Sequence, residues 1–292
     1  MKRTLTDLRR LKAEGTPIVM ITAYDYPSGL IVDGAGVDLV LVGDSAANVV
    51  LGHDTTVPAT MDQMTMLTGA VSRAVKSALV IGDLPFMSYQ VSDTDAVRNA
   101  GRLVKDGGAD VVKLEGAGPS LERIRAIVAS GIPVMGHLGL TPQTATMKGG
   151  HKAQARQWQA ARDLFDEALE VERAGCFAVV LEAVPPPVAK AISERLAIPT
   201  IGIGSGPMTD GQVLVLHDML GIPADGRVAR YVKRYGEVGR MMADAVNRYA
   251  GEVRAHEFPG PEHVYSMDDD QVAAFESAIG AGSIEGNTLA DW

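Results

Sequence analysis

The sequence predicts an α/β fold closed into a (β/α)8 TIM barrel, and three observations predict it. Short runs rich in Val and Ile recur eight times, each followed by a polar or Gly-containing turn. Segments of helical period separate them. At 292 residues the chain has the length of one such barrel with helical additions at both termini.

Taken in order, the first run is PIVMITAY (17–24). It follows MKRTLTDLRRLKAEG, a basic segment without the apolar stretch of a signal peptide. DLVLVGDS (38–45) and ALVIGDLP (78–85) come next, separated by MDQMTMLTGAVSRAVKS, whose apolar residues step by three and four. DTDAVRNAGRLVKDGG leads into DVVKLEG (110–116), SLERIRAIVASG into IPVMGHLG (132–139), and QWQAARDLFDEALEVERAGC into FAVVLEAV (177–184). VAKAISERLA precedes PTIGIGSG (199–206), and VLVLHDML (213–220) supplies the eighth strand. Near-continuous apolar strands suit a parallel sheet covered on both faces. The alternative, an open doubly wound sheet, carries GxGxxG after its first strand, where this chain has AYDYPSG.

Residues 1–264 are read as a single catalytic barrel domain that includes a terminal helix within GEVGRMMADAVNRYAGEVRAHEF. Residues 265–292 form a C-terminal tail, either partly disordered or packed at a subunit interface. TPQTATMKGGHKAQARQ (141–157) is the longest aperiodic stretch inside the barrel, so it is expected to cover the barrel mouth.

A net charge of −9 offers no basic face for phosphate and argues against a nucleic-acid partner. No run of about 18 apolar residues is present, so no membrane span is expected. The single cysteine, Cys176, excludes an intramolecular disulfide and a cysteine-built zinc site, and points to a reducing, cytoplasmic location.

Polar residues mark where the strands stop. Asp44, Asp83, Glu115, His137 and Glu182 each end a mostly apolar run, at the barrel face that carries active sites. Taken singly, each acid could instead cap a turn or helix. Lys113, two residues before Glu115, shares its strand face and serves either a structural ion pair or a substrate contact. Two like charges ~4 Å apart repel by about 4 kcal/mol at an effective dielectric of ~20, so converging carboxylates require a cation. An all-oxygen ligand set favours Mg2+ or Mn2+ over zinc. His137 fits a metal ligand, a substrate hydrogen bond or a core histidine equally well.

TAYDYPSG (22–29), VGDSAANVVLGHDTTVPAT (42–60), DLPFMSY (83–89), VKLEG (112–116), GHLGLTPQ (136–143), VLEAVP (180–185) and IGIGSGPMTDGQVLVLHDMLG (201–221) together resemble the ketopantoate (3-methyl-2-oxobutanoate) hydroxymethyltransferase family. The likeness runs from about Thr4 to His263. It implies a barrel of the phosphoenolpyruvate/pyruvate type with one Mg2+ per subunit, held or surrounded by Asp44, Asp83 and Glu115. Ser45 and Lys113 would bind the 2-oxo acid carboxylate. Asp44, Asp83 and His137 would also border the substrate, and Glu182 would be the catalytic base. The implied reaction joins 3-methyl-2-oxobutanoate to the one-carbon unit of 5,10-methylenetetrahydrofolate, giving 2-dehydropantoate for pantothenate and coenzyme A. Members are cytoplasmic homo-oligomers, often decamers. Two departures stand out: GGHKAQAR (149–156) replaces a pattern near GGYKVQGR, and Gly82 precedes Asp83 where alanine is common. The rival readings are a carbon–carbon lyase of the isocitrate lyase and phosphoenolpyruvate mutase type, and a non-enzymatic ligand-binding barrel.

Overall fold

Thr4 accepts from the Asp7 N–H while the Asp7 carboxylate accepts from the Thr4 N–H, so the chain enters helix α1 (Leu5–Glu14) through a capping box. The computed structural model describes residues 2–147, 149–150, 152–222 and 229–280. Beyond α1, strands and helices alternate: β1 (Ile18–Thr22), α2 (Tyr26–Gly34), β2 (Leu39–Val42), α3 (Ala46–Val49), α4 (Met61–Ala74) and β3 (Leu79–Asp83). They continue through α5 (Asp93–Lys105), β4 (Val111–Glu115), α6 (Ser120–Ala129), β5 (Val134–Gly139), α7 (Trp158–Arg173), β6 (Ala178–Glu182) and α8 (Pro186–Arg195). The last members are β7 (Thr200–Ile203), β8 (Gly211–Leu214) and α9 (Leu216–Leu220). The strands pair in parallel in chain order and close, β8 onto β1, as the sequence predicts.

Period-two alternation splits the core. Ile18, Met20, Leu39, Leu41, Ile81, Val111, Met135, Val180 and Ile201 fill the barrel interior, whereas Val40, Val80, Val112 and Val179 pack outward with the helices. Leu8 and Leu11 of α1 join the interior cluster and plug its N-terminal end. Around that end, Asp38, Asp110 and Asp210 accept from the N–H groups of Val19, Val80 and Thr200, on neighbouring strands or just before them. Each also pairs with a cation of the N-terminal segment: Arg3 with Asp38 at 2.9 Å, Lys2 with Asp110 at 2.7 Å, and Lys12 with Asp210 at 2.7 Å.

Seven strands fall inside their predicted runs, and the eighth does not. The ladder with β1 pairs Ile18 with Gly211 and ends at the pairing of Ile21 with Leu214. Within VLVLHDML, Leu216–Leu220 is helix α9 rather than strand. The Leu216 N–H turns onto Thr22 Oγ1 at 2.9 Å, which ends the ladder. Gly211 starts the strand because a Cβ there would sit 2.4 Å from the Ile18 carbonyl oxygen. A short apolar run does not distinguish strand from buried helix by period alone.

Asp33, on the last turn of α2, accepts from the Lys76, Ser77 and Ala78 N–H groups between α4 and β3. Burial raises its carboxyl, but these three donors outweigh that and hold it below the ordinary value. A depressed pKa stabilises the fold above the ordinary aspartate value of about 4, and that share is lost as the pH falls through the lower folded value. Asp33→Ala is expected to cost about 2 kcal/mol in urea melts at neutral pH. The deficit against the parent should shrink as both are acidified.

The barrel unit spans Met1–Gly236, and a second compact unit spans Glu237–Trp292. The second unit holds α10 (Val238–Arg254) and α11 (Asp269–Ala278), and the Tyr249 and Phe258 rings meet edge to face at 5.5 Å. Neither helix has a buried residue. Residues 237–264, grouped with the barrel from sequence, belong to this unit. Residues 281–292 of the tail lie outside the described residues.

Candidate active site

Strand parity delivers most of the site. Asp83 continues the inward series Leu79, Ile81; Lys113 and Glu115 continue Val111; His137 continues Met135; and Glu182 continues Ala178, Val180. Register then sets neighbours side by side, Asp83 against Lys113 and Glu115 against His137. Asp44 and Ser45 arrive from the turn beyond β2. All seven sequence-predicted residues line one cavity of about 740 Å³, within the size range of ligand sites.

Contacts on the acidic wall are close. Lys113 Nζ lies 2.8 Å from Asp83 Oδ1, and Asp83 Oδ2 accepts from the Asp44 N–H at 3.0 Å. Ser45 Oγ is 2.8 Å from the Tyr24 hydroxyl. Burial, with the Asp83 and Glu115 charges beside it, pushes the Asp44 carboxyl well above the usual carboxylate range. For Asp83, burial raises the pKa by more than the Lys113 ammonium lowers it. Lys113 is raised because its three acidic neighbours outweigh its desolvation.

His137 links this wall to the base candidate. Its Nδ1 is 3.3 Å from Glu115 Oε1, and its Nε2 is 3.2 Å from Glu182 Oε2. Burial and the Lys113 charge push the ring down, but the two carboxylates outweigh them and hold it at about 9. At neutral pH it is therefore an imidazolium between two glutamates. Lys113 Nζ, 3.4 Å from Nδ1, is then a repelling neighbour rather than a donor to it.

Sequence reasoning missed three contributors. Gln143 donates from Nε2 to Asp44 Oδ2 at 2.9 Å and to the Leu84 carbonyl at 3.0 Å, and its N–H reaches Glu115 Oε2 at 3.1 Å. Tyr89 donates to Gln143 Oε1 at 2.8 Å. Gln143 is the buried residue of a 3-10 turn, Pro142–Thr144, so the start of the 141–157 stretch is built into the wall rather than laid over it. Lys148 and His151 of that stretch lie outside the described residues. Tyr231 is the third, its hydroxyl donating to Glu182 Oε1 at 3.4 Å. Its ring packs on Gly204, where φ is +66° and a Cβ would lie 2.6 Å from the ring. The only available signal was motif content: Gln143 ends GHLGLTPQ and Gly204 lies in IGIGSG, but neither carries a charge.

A divalent cation fits this chemistry. Among the described residues, the buried Asp44, Asp83, Glu115 and Glu182 have Lys113 and His137 as the cations packed against them, and the buried Asp83 Oδ1 and Glu115 Oε1 lack an aligned hydrogen bond despite those cations. Among the described residues no three acidic, His or Cys side chains stand together as a ready ligand cage. Mg2+ does not need one, because it keeps several waters and uses one or two carboxylates.

Residues 2–261 match the ketopantoate hydroxymethyltransferase family profile. The chain is 52% identical over 276 residues to the 3-methyl-2-oxobutanoate hydroxymethyltransferase of Nitratidesulfovibrio vulgaris (strain DP4), covering 94% of this chain and 89% of that one. It is 49% identical over 265 residues to that of Geobacter metallireducens, covering 91% and 99%. Among solved structures, a phosphonopyruvate hydrolase complex with oxalate and Mg2+ superposes with a TM-score of 0.59 at 11% identity, covering 98% of this chain and 100% of that one. A 2,3-dimethylmalate lyase of the phosphoenolpyruvate mutase/isocitrate lyase superfamily gives 0.54 at 15%, covering 99% of each. At such identities the structural likeness concerns the fold alone.

Proposed function

The chain belongs to the ketopantoate hydroxymethyltransferase family, and from that premise we propose that it converts 3-methyl-2-oxobutanoate, 5,10-methylenetetrahydrofolate and one water into 2-dehydropantoate and tetrahydrofolate, a step toward pantothenate. One observation carries the proposal: a single cavity holds the acid and lysine cluster on β2 to β4 and, joined to it through His137, the carboxylate of Glu182 on β6.

Asp44 and Asp83 would hold Mg2+, with Glu115 acting through water. When bound, the ion supplies a Lewis acid for the charge that develops on the 2-oxo oxygen. Ser45 and Lys113 receive the substrate carboxylate, and the buried apolar floor under them excludes water. Glu182 takes the C3 proton, the new carbon–carbon bond forms between C3 and the one-carbon unit, the two bonds from that carbon to the folate nitrogens break in turn, and water supplies the hydroxyl of the product while the C3 proton and the water proton end on the two nitrogens. His137 and Tyr231 hold the two Glu182 oxygens in place for the transfer.

The lyase reading calls for a catalytic loop with a lysine and a cysteine at the exit of the fifth strand, where this chain has GHLGLTPQ; its single cysteine, Cys176, is buried before β6, and burial pushes its pKa up to about 12. Exposed Tyr26, Leu30 and Ile31 on α2 favour a homo-oligomer, with a decamer as the specific expectation. Among the described residues no helix is long and apolar enough to cross a membrane. A cytoplasmic location is part of the same proposal.

The test is an assay for 2-dehydropantoate with both substrates and Mg2+. Product that forms only when all three are present is the expected result. Turnover without the folate donor, or none with it, overturns the reading.

A further inference from the structure

Gln143 is buried, and both ends of its side-chain amide are committed. Its Nε2 spends one hydrogen on Asp44 Oδ2 at 2.9 Å and the other on the Leu84 carbonyl at 3.0 Å. Its Oε1 accepts from the Tyr89 hydroxyl at 2.8 Å, nearer than that hydroxyl's other acceptor, the Glu115 carbonyl at 3.3 Å. The opposite flip would set the amide oxygen against a carbonyl that can only accept, so the amide has one orientation. The turn that carries it is equally fixed: Pro142 opens it, the Thr144 N–H closes onto the Thr141 carbonyl at 3.0 Å, and the Gln143 N–H holds Glu115 Oε2 at 3.1 Å. Gln143 therefore touches two of the three acids proposed for the metal. Asp44 holds the third, Asp83, through its own N–H at 3.0 Å. Among the described residues, Gln143 is the one side chain that donates a hydrogen bond to the Asp44 carboxylate.

We propose, resting on the Mg2+ site proposed at Asp44, Asp83 and Glu115, that Gln143 is a positioning residue that sets which cation the site accepts. It holds the Asp44 carboxylate in one rotation and so favours Mg2+ over Ca2+. Mg2+ demands near-ideal octahedral geometry, whereas Ca2+ takes more oxygens at longer distances in a flexible arrangement. A carboxylate pinned by an amide of single orientation does not swing to offer a second oxygen or to follow a larger ion. The neutrality of the partner matters as well. A lysine or arginine at this place would compete with the cation for the same carboxylate, and an amide donates without adding positive charge.

Paramagnetic resonance of Mn2+, with Mg2+ or Ca2+ added to displace the bound ion, reads both affinities on the full chain without turnover. Gln143→Met keeps the unbranched shape and the backbone N–H that serves Glu115, and removes the amide. It is expected to weaken Mg2+ by about 10–100-fold, the range for losing a group that orients a metal ligand, and Ca2+ by much less. Tyr89→Phe leaves the amide but frees its orientation, and should lower the preference for Mg2+ over Ca2+ by roughly fivefold, about the worth of one neutral hydrogen bond. A general disturbance of the barrel weakens both ions alike and leaves the preference unmoved, which overturns the proposal. So does a preference within about twofold of the parent in Gln143→Met, or in Tyr89→Phe should the first variant not fold. A parent that binds neither Mn2+ nor Mg2+ removes the metal site itself, and the proposal with it, an outcome distinct from the first.

Discussion

Glu182→Gln is expected to slow exchange of the C3 hydrogen of 3-methyl-2-oxobutanoate in deuterated water by about 10²–10⁴-fold, the range for loss of a general base. The exchange needs enzyme, Mg2+ and the oxo acid but no folate, so it isolates the proton step. The amide keeps the size of the side chain and an oxygen that can face His137 Nε2, which sits 3.2 Å from the parent carboxylate. Substrate affinity by calorimetry should therefore stay near the parent value while exchange fails. Exchange at the parent rate would move the base to another group, and the mechanism proposed for Glu182 would fall.

Removing the Asp83 carboxylate has two expected effects, and they separate by variant. Asp83→Ala leaves the ammonium of Lys113, 2.8 Å away and almost wholly buried, without its counter-ion. Stranding one member of a buried pair costs about 3–5 kcal/mol, so urea melts should show a large loss. Asp44→Ala strands no cation, since its carboxyl accepts from the neutral amide of Gln143, and its melt should move far less. Mg2+ binding by calorimetry should be lost in both. If both variants bind Mg2+ and the oxo acid as tightly as the parent, the metal does not sit at these acids.

Much of this site was legible because barrel geometry converts sequence parity into direction. An acid two or four residues past an inward Ile or Val points at the axis, which directs Asp83, Glu115 and Glu182 there, and the period of two puts Lys113 below Glu115. Asp44 escapes that logic. It lies out of phase with Leu41 and enters only because the chain turns after Val42, so its place at the end of an apolar run, rather than strand period, marked it. Gln143 and Tyr231 were illegible for a different reason. Their partners stand 99 and 49 residues away, and an uncharged side chain shows no local sign that it will close a polar network. The eighth strand was displaced because VLVLHDML satisfies strand and helix patterns alike, and the Thr22 hydroxyl decides between them.

The ring of aspartates at the barrel floor bears on how the chain is made. Lys12 and Asp210 are 198 residues apart, and β1 meets its second partner only when Gly211–Leu214 exists. During synthesis the first helix and first strand therefore wait for nearly the whole barrel to emerge. Until then β1 has an open edge, and Leu8 and Leu11 have an incomplete cavity to fill. Such an edge is a template for pairing with another chain. Closure by contacts this distant is slow, because the entropy of joining the ends must be met before those contacts reward it. Nascent chains stalled before Leu214 are the ones that a holding chaperone would find sticky.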